Sequence, residues 1–231
     1  MTNDIRALST TSNNPLESIS DAIAQTGWAV LKNAIPRSLA KGLHQAATEV
    51  VDYKTARVGR NKARHENRFV RRDVTSWITG NEPAEAAWLR WTNQLRRHLN
   101  QSLFLGLERF ESHFALYKPG TFYRRHLDTF PGTENRKLSL VLYLNPSWLP
   151  SHGGELVIFD HDNRTLVNVA PEMATLVVFL SEYHPHEVLP TYADRYSIAG
   201  WFSTRAKLPL ENLSSSNSDT RNLTSYLETH P

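Results

Sequence analysis

The sequence contains no cysteine, and that single absence removes several classes of protein at once. Disulfide-stapled scaffolds, thiolate zinc sites, iron–sulfur clusters and cysteine nucleophiles are all excluded. No apolar run reaches the roughly 18 residues that a membrane-spanning helix needs. The first residues, MTNDIRALSTTSNN, lack the apolar core of a secretory signal. They read as a disordered leader, and a cytoplasmic protein that engages no membrane is the expectation. Apolar types make up 40% of the 231 residues and charged types 21%, so collagen-like, coiled-coil and wholly disordered chains are excluded too. What is left is a globular domain large enough to bury a core without staples.

Charge is unevenly spread. Between Lys54 and Arg72 lie eight basic residues against the single Glu66, so the net charge of +3 and the pI of 9.2 describe one segment of an otherwise slightly acidic chain. That segment has no periodicity and reads as a loop or hairpin. It is either a solvated face or a clamp for a substrate.

Helical signals fill the first half. Residues 15–26 begin with a proline and place Leu16, Ile19 and Ile23 on one face. Gly27 then opens a strand, GWAVLKN. Pro36 sits where a first helical residue belongs, and Leu39, Leu43, Ala47 and Val50 form an apolar stripe to about residue 51. Pro83 starts a third helix with Trp88, Trp91, Leu95 and Leu99 on its core face. From about residue 106 the texture becomes β: HFALY, TFYRRHL, KLSLVLYL, ELVIF, TLVNV, ATLVVFL, HEVLP and YSIAGWF alternate with Pro, Gly and Asn turns. Eight short strands spaced in this way predict a double-sheet jelly roll or a barrel. The fold class expected is α+β, mainly β: a double-stranded β-helix core with N-terminal helices packed on one sheet. One domain spans 15–205, helical over 15–105 and jelly roll over 106–205, with a polar tail over 206–231.

Chemistry-bearing residues gather in the β half. His126 and Asp128 are two apart in a strand-like run, so imidazole and carboxylate share a face. A second imidazole can come from His184 or His186, which periodicity alone does not separate. Two imidazoles and one carboxylate take one face of an octahedral ion and leave the rest open, as in non-haem Fe(II) oxygenases. Zinc, manganese or nickel would suit the same set. Arg195 narrows the choice, because the alternation of DRYSIAGWF puts it inside the barrel with Ser197, Ala199 and Trp201. A buried guanidinium calls for an anion, and its planar fork suits a carboxylate. A carboxylate that also chelates a metal through its other end is 2-oxoglutarate. His113, His152 and His161 read as surface or strand-edge residues.

Four ordered segments carry a resemblance: VRRDVTSWITGNEP (70–83), ALYKPGTFYRRHLDTF (115–130), LVLYLNPSW with GGELVIF (140–159), and PHEVLPTYADRYSIAGWF (185–202). With them the chain, from about residue 27 to 203, resembles the prolyl 4-hydroxylase branch of the 2-oxoglutarate/Fe(II)-dependent dioxygenases, which includes the oxygen-sensing prolyl hydroxylases and their bacterial relatives. The resemblance implies Fe(II), 2-oxoglutarate and O2, with ascorbate as a further ligand. It implies iron ligands at His126, Asp128 and His186, the PHEV match deciding against His184. Arg195 matches the residue that holds the distal carboxylate of 2-oxoglutarate, supported by Tyr143. Tyr117 and Leu156 match further positions of that pocket, and Trp201 matches its wall. Arg71, Asp73 and Trp77 match a segment that shapes substrate access, and residues 52–69 match a loop that closes over a peptide. Position 199 departs from the pattern: it is Ala where the oxygen sensors place a hydroxyl, and Ser197 is the residue that could compensate.

The implied reaction is hydroxylation of a prolyl residue in a protein, possible targets including a translation-related one, with release of succinate and CO2. Two rival readings remain open from sequence. An oxygenase of the same superfamily acting on nucleic acid or a small molecule would use the basic segment to grip phosphate. Against nucleic acid, the resemblance places a second arginine six positions after the first in such enzymes, and here that residue is Trp201. A non-catalytic jelly-roll binding module is the other rival.

Overall fold

The computed structural model describes residues 14–56, 72–129 and 136–204. The leader, most of the basic segment and the C-terminal tail therefore lie outside the described residues. Helix α1 (Pro15–Thr26) starts where the Asn14 side chain accepts a hydrogen bond from the backbone N–H of Leu16 at 3.0 Å. It stops at Gly27, whose φ of +80° suits glycine. The chain enters strand β1 (Trp28–Leu31) and then helix α2 (Arg37–Glu49). Pro36, expected as the first helical residue, instead caps α2 with an extended ψ of 134°, a conformation that its fixed φ permits.

A short hairpin follows that the sequence reading does not contain as strands. Strand β2 (Lys54–Thr55) pairs antiparallel with β3 (Val74–Trp77), which agrees with the hairpin alternative for this segment at its described ends. Helix α3 (Pro83–Leu103) is the longest, and its core face carries Trp88, Leu95 and Leu99 fully buried. Trp88 stacks on Trp91 at 5.6 Å between centroids, and its indole N–H donates to Ser112 Oγ at 3.2 Å.

All eight expected strands of the second half form: β4 (Arg109–Tyr117), β5 (Tyr123–His126), β6 (Arg136–Tyr143), β7 (Leu156–Phe159), β8 (Thr165–Val169), β9 (Leu176–Leu180), β10 (His186–Val188) and β11 (Arg195–Ser203). They divide into a seven-stranded sheet, β1-β9-β6-β11-β4-β3-β2, and a four-stranded sheet, β5-β10-β7-β8. Every pairing within these sheets is antiparallel.

Two cores result, one on each side of the large sheet. Its outer face contributes Phe114, Leu138, Leu140, Leu142, Val178, Ile198 and Phe202, which pack against Ile19, Leu43, Trp88 and Leu95 of the helices. Its inner face contributes Ala115, Tyr117, Tyr143, Val177 and Phe179, which meet Leu156, Ile158 and Val188 of the small sheet. Period-two alternation along β6 and β11 serves both cores at once. No helix among the described residues is long and apolar enough to cross a membrane.

Replacing Trp88 by Ala should remove the centre of the helix-side core and lower unfolding stability by about 3–5 kcal/mol. Urea unfolding followed by circular dichroism measures it, and a change below about 1 kcal/mol would mean that the helices are not held through this ring.

Candidate active site

The small sheet brings His126, Asp128 and His186 to one point, with one ligand atom of each within 4.8 Å of the others. His126 and His186 face each other directly across the β5–β10 pair. Asp128 lies two residues past the end of β5, so the turn, and not a continued strand, aims its carboxylate.

The protons in this cluster can be placed. His126 Nδ1 lies 2.8 Å from the Arg124 carbonyl oxygen, and His186 Nδ1 lies 3.1 Å from that of His184. A carbonyl only accepts, so each Nδ1 carries the hydrogen and each Nε2 keeps its lone pair. Those lone pairs point at Asp128: His126 Nε2 is 3.5 Å from Oδ1 and His186 Nε2 is 3.6 Å from Oδ2. Burial pushes the His186 imidazole down to about 4, with His126 adding to the shift and Asp128 opposing it. Burial alone would raise the Asp128 carboxyl, but His186, His126 and the Ser139 hydroxyl hold it well below the usual carboxylate range. The site is thus a carboxylate held in its ionised form, facing a His186 ring that burial keeps neutral, with the His126 Nε2 turned toward the same carboxylate. A divalent cation fits this donor set.

The rings are also fixed in orientation. Tyr123 stacks on His126 at 3.6 Å between centroids, and Phe179 meets the His186 ring edge-on at 4.7 Å. His184 takes no part. It precedes β10, its Nδ1 lies 3.4 Å from the Phe159 carbonyl oxygen, and its Nε2 lies 2.8 Å from where a Cβ on Gly27 would stand. Glycine at position 27 makes room for that ring under the α1–β1 turn. His113 differs from expectation. It is buried, 3% exposed, on the interior strand β4, with its ring between those of Trp77 and Trp201. A histidine in an otherwise apolar alternation looks polar in sequence, yet flanking indoles give it an aromatic setting.

A second cluster surrounds Arg195, which is 1% exposed. Its guanidinium lies between the Tyr117 ring at 4.9 Å and the Tyr143 ring at 5.0 Å. Nε donates to the Gly154 carbonyl at 2.7 Å and Nη1 to Ser197 Oγ at 3.2 Å, while Nη2 has no partner. The buried Tyr143 hydroxyl is also unpartnered, and burial pushes it up to about 12, with Arg195 opposing, so it stays a donor. Among the described residues no carboxylate pairs with Arg195. Two buried donors without acceptors, one of them cationic, fit a carboxylate ligand. Leu156 closes the pocket from the small sheet, in the same apolar cluster as Tyr117 and Tyr143.

Trp201 stands at the triad, its indole N–H donating to Asp128 Oδ2 at 2.8 Å. Ser139 donates to the same oxygen at 2.6 Å. Neither Ser139 nor Gly154 figures among the residues expected from sequence, although serine at an inward position of KLSLVLYL is a legible signal. Trp77 is half exposed on β3, Asp73 is fully buried just before it, and Arg71 lies outside the described residues.

Comparison with known proteins agrees with this geometry. The description of the 2OG-Fe(II) oxygenase superfamily matches residues 112–203, a stretch that holds the triad and Arg195. The chain belongs to that superfamily. Within it the similarity is to prolyl hydroxylases: the crystal structure of a Pseudomonas putida prolyl-4-hydroxylase is 40% identical, covers 83% of this chain and 100% of that one, and superimposes with a TM-score of 0.74. Human prolyl hydroxylase EGLN3 is 34% identical over 143 residues, 58% of this chain and 59% of that protein. The chain therefore spans about three-fifths of that relative's length. A prolyl hydroxylase from Trichoplax adhaerens, solved with a hypoxia inducible factor peptide fragment, shares the fold with a TM-score of 0.74 at 24% identity.

Gly154 makes the pocket testable. Its φ is +70°, and a Cβ there would stand 2.9 Å from Arg195 Cδ and 3.0 Å from Thr191 Cβ. Gly154→Ala should displace the guanidinium and weaken 2-oxoglutarate by roughly 10-fold or more, while Mn(II) affinity without cosubstrate is unchanged. Calorimetry with the two ligands checks both halves, and equal 2-oxoglutarate affinity would show that the arginine is not held through this contact.

Proposed function

We propose that the protein hydroxylates a prolyl residue of a protein substrate, in the manner of a peptidyl-proline 4-hydroxylase. Each turnover consumes 2-oxoglutarate and O2: one oxygen atom enters the prolyl C–H bond, and the other leaves in succinate as CO2 is released. The observation that carries this reading is the pairing of two incomplete sites inside one barrel: a converging His126–Asp128–His186 cluster and a buried Arg195 with a donor to spare. Fe(II), when bound, supplies the electrons and open positions with which O2 is activated.

The chain's own residues do the rest. Arg195 and Tyr143 receive the distal carboxylate of 2-oxoglutarate, Ser197 steadies the guanidinium, and Tyr117 and Leu156 keep water from its methylene chain. Trp201, a wall of this pocket by resemblance, donates its indole N–H to Asp128 and so stands where pocket and triad meet. Ala199 brings no hydroxyl, and Ser197 Oγ already accepts from Arg195, so its own proton remains for the ligand. Trp77, half exposed at the end of β3, borders the substrate's approach; Asp73, buried just before that strand, and Arg71 belong to that border by resemblance alone. The prolyl target is supported by the 40% identity to a prolyl-4-hydroxylase over that protein's full length. A cytoplasmic location, a translation-related target and a use of ascorbate belong to this proposal on the strength of the sequence resemblance.

Anaerobic loading with Fe(II) and 2-oxoglutarate, followed by air and proline-containing peptides or proteins, tests the reaction. Succinate should form, and one oxygen atom's mass should appear on a proline of the substrate. Asp128→Ala should abolish both. Turnover that only a nucleic acid or small molecule stimulates would replace the prolyl reading.

Arg195→Leu should weaken 2-oxoglutarate by about 10–100-fold, since a charge-assisted bond contributes roughly 1.5–3 kcal/mol. Arg195→Lys, which keeps the charge but not the fork, should fall between. Calorimetry on the Mn(II)-loaded protein decides it, and unchanged affinity in both variants would remove Arg195 from the cosubstrate site.

A further inference from the structure

Two buried serines beside the triad have no part in the reading above. Ser139 on β6 is 1% exposed and Ser181, just past β9, is fully buried. Ser139 Oγ lies 2.6 Å from Asp128 Oδ2 and 2.9 Å from Ser181 Oγ. A hydroxyl has one proton, and an ionised carboxylate only accepts. Ser139 therefore spends its proton on Asp128, and Ser181 must donate to Ser139. The hydrogen-bond chain has one direction: Ser181 to Ser139 to Asp128.

The Trp201 indole reaches the same Oδ2 at 2.8 Å. Two donors occupy the in-plane lone pairs of that oxygen and leave Oδ1 for a cation. The aim of these donors is built into the large sheet. Ser139 is the direct cross-strand partner of Trp201 on one side and of Phe179 on the other. Trp201 is in turn held by the Arg136 guanidinium, 4.0 Å above its ring, and Arg136 is tied to Glu111 at 2.6 Å. One transverse row of the large sheet thus supports ligands carried by the small one.

We propose that Ser139, backed by Ser181, is a positioning residue that ties up Oδ2 so that Asp128 offers the metal a single oxygen, which keeps the remaining positions open for the cosubstrate. This rests on the metal reading of the triad. Partners of this kind, one step out from a ligand, govern metal affinity as well as ligand orientation.

The test uses the full-length, metal-free chain, titrated with Mn(II) and with Co(II) in the absence of 2-oxoglutarate. Ser139→Ala should weaken Mn(II) by about 10–100-fold, Ser181→Ala should weaken it less, and Ser139→Thr, which keeps the hydroxyl, should restore wild-type affinity. The visible Co(II) band of Ser139→Ala should change in position and intensity as the second carboxylate oxygen takes one of the positions otherwise left open. Should Ser139→Ala fail to fold, Ser181→Ala and Ser139→Thr still give the comparison. Wild-type Mn(II) affinity and an unaltered Co(II) band in the alanine variants would overturn the proposal, as would failure of Thr to restore affinity. If wild-type protein takes up neither ion, the metal reading itself falls.

Discussion

Three electron-rich atoms, two imidazole nitrogens and a carboxylate oxygen, converge within 4.8 Å of one another, and the rest of the molecule is arranged to keep them there. Left to themselves such groups would turn away or pick up protons. Backbone carbonyls fix both imidazole tautomers, and aromatic rings fix their planes. Hydroxyl and indole donors fix the carboxylate. The stress of the arrangement is what makes it a metal site, because a divalent cation relieves all three at once.

The second half of the pocket works by the opposite sign. Arg195 is a cation placed in advance among tyrosine rings, with two of its nitrogens already satisfied and one left over. A ligand that arrives there meets a donor that needs no reordering, so little of its binding energy is spent on fixing side chains. A ligand with a carboxylate at one end and chelating oxygens at the other meets both halves together.

Much of this was legible in the residues. Proline starts, a 3.6-residue apolar stripe and eight β-rich runs gave helices and strands near their observed bounds, because in each case local pattern and tertiary burial agree. Arg195 was legible because period-two alternation assigns faces without knowledge of the fold. His186 was set apart from His184 only by the resemblance, and Asp128 is aimed by a turn past β5 and not by the strand-like spacing that pairs it with His126. A hairpin was one of the two forms expected of the basic segment, but the strands β2 and β3 were not legible, since a two-residue leg and the mixed VTSW carry no period and depend on β4 for their pairing. The burial of His113 is not legible in its own segment because it comes from Trp77 and Trp201, residues far away in the chain. The roles of Ser181 and Gly154 are not legible for a related reason. A hydroxyl or a missing Cβ has meaning only relative to the side chain that folding brings opposite it.

Strands β6 and β11 each work on two fronts. Leu138, Leu140 and Leu142 hold the helices while Ser139 and Tyr143 look inward; Ile198 and Phe202 do the same opposite Arg195, Ser197 and Trp201. Register in a sheet is all or nothing, since a slip of one residue exchanges the faces. A slipped β11 would drive Arg195 and Trp201 into the helical layer and present Phe202 to the metal. The greasy contacts under α1, α2 and α3 therefore act as the alignment key of the chemistry on the other side of the sheet, and a chain that has packed its helices correctly has already set its active site.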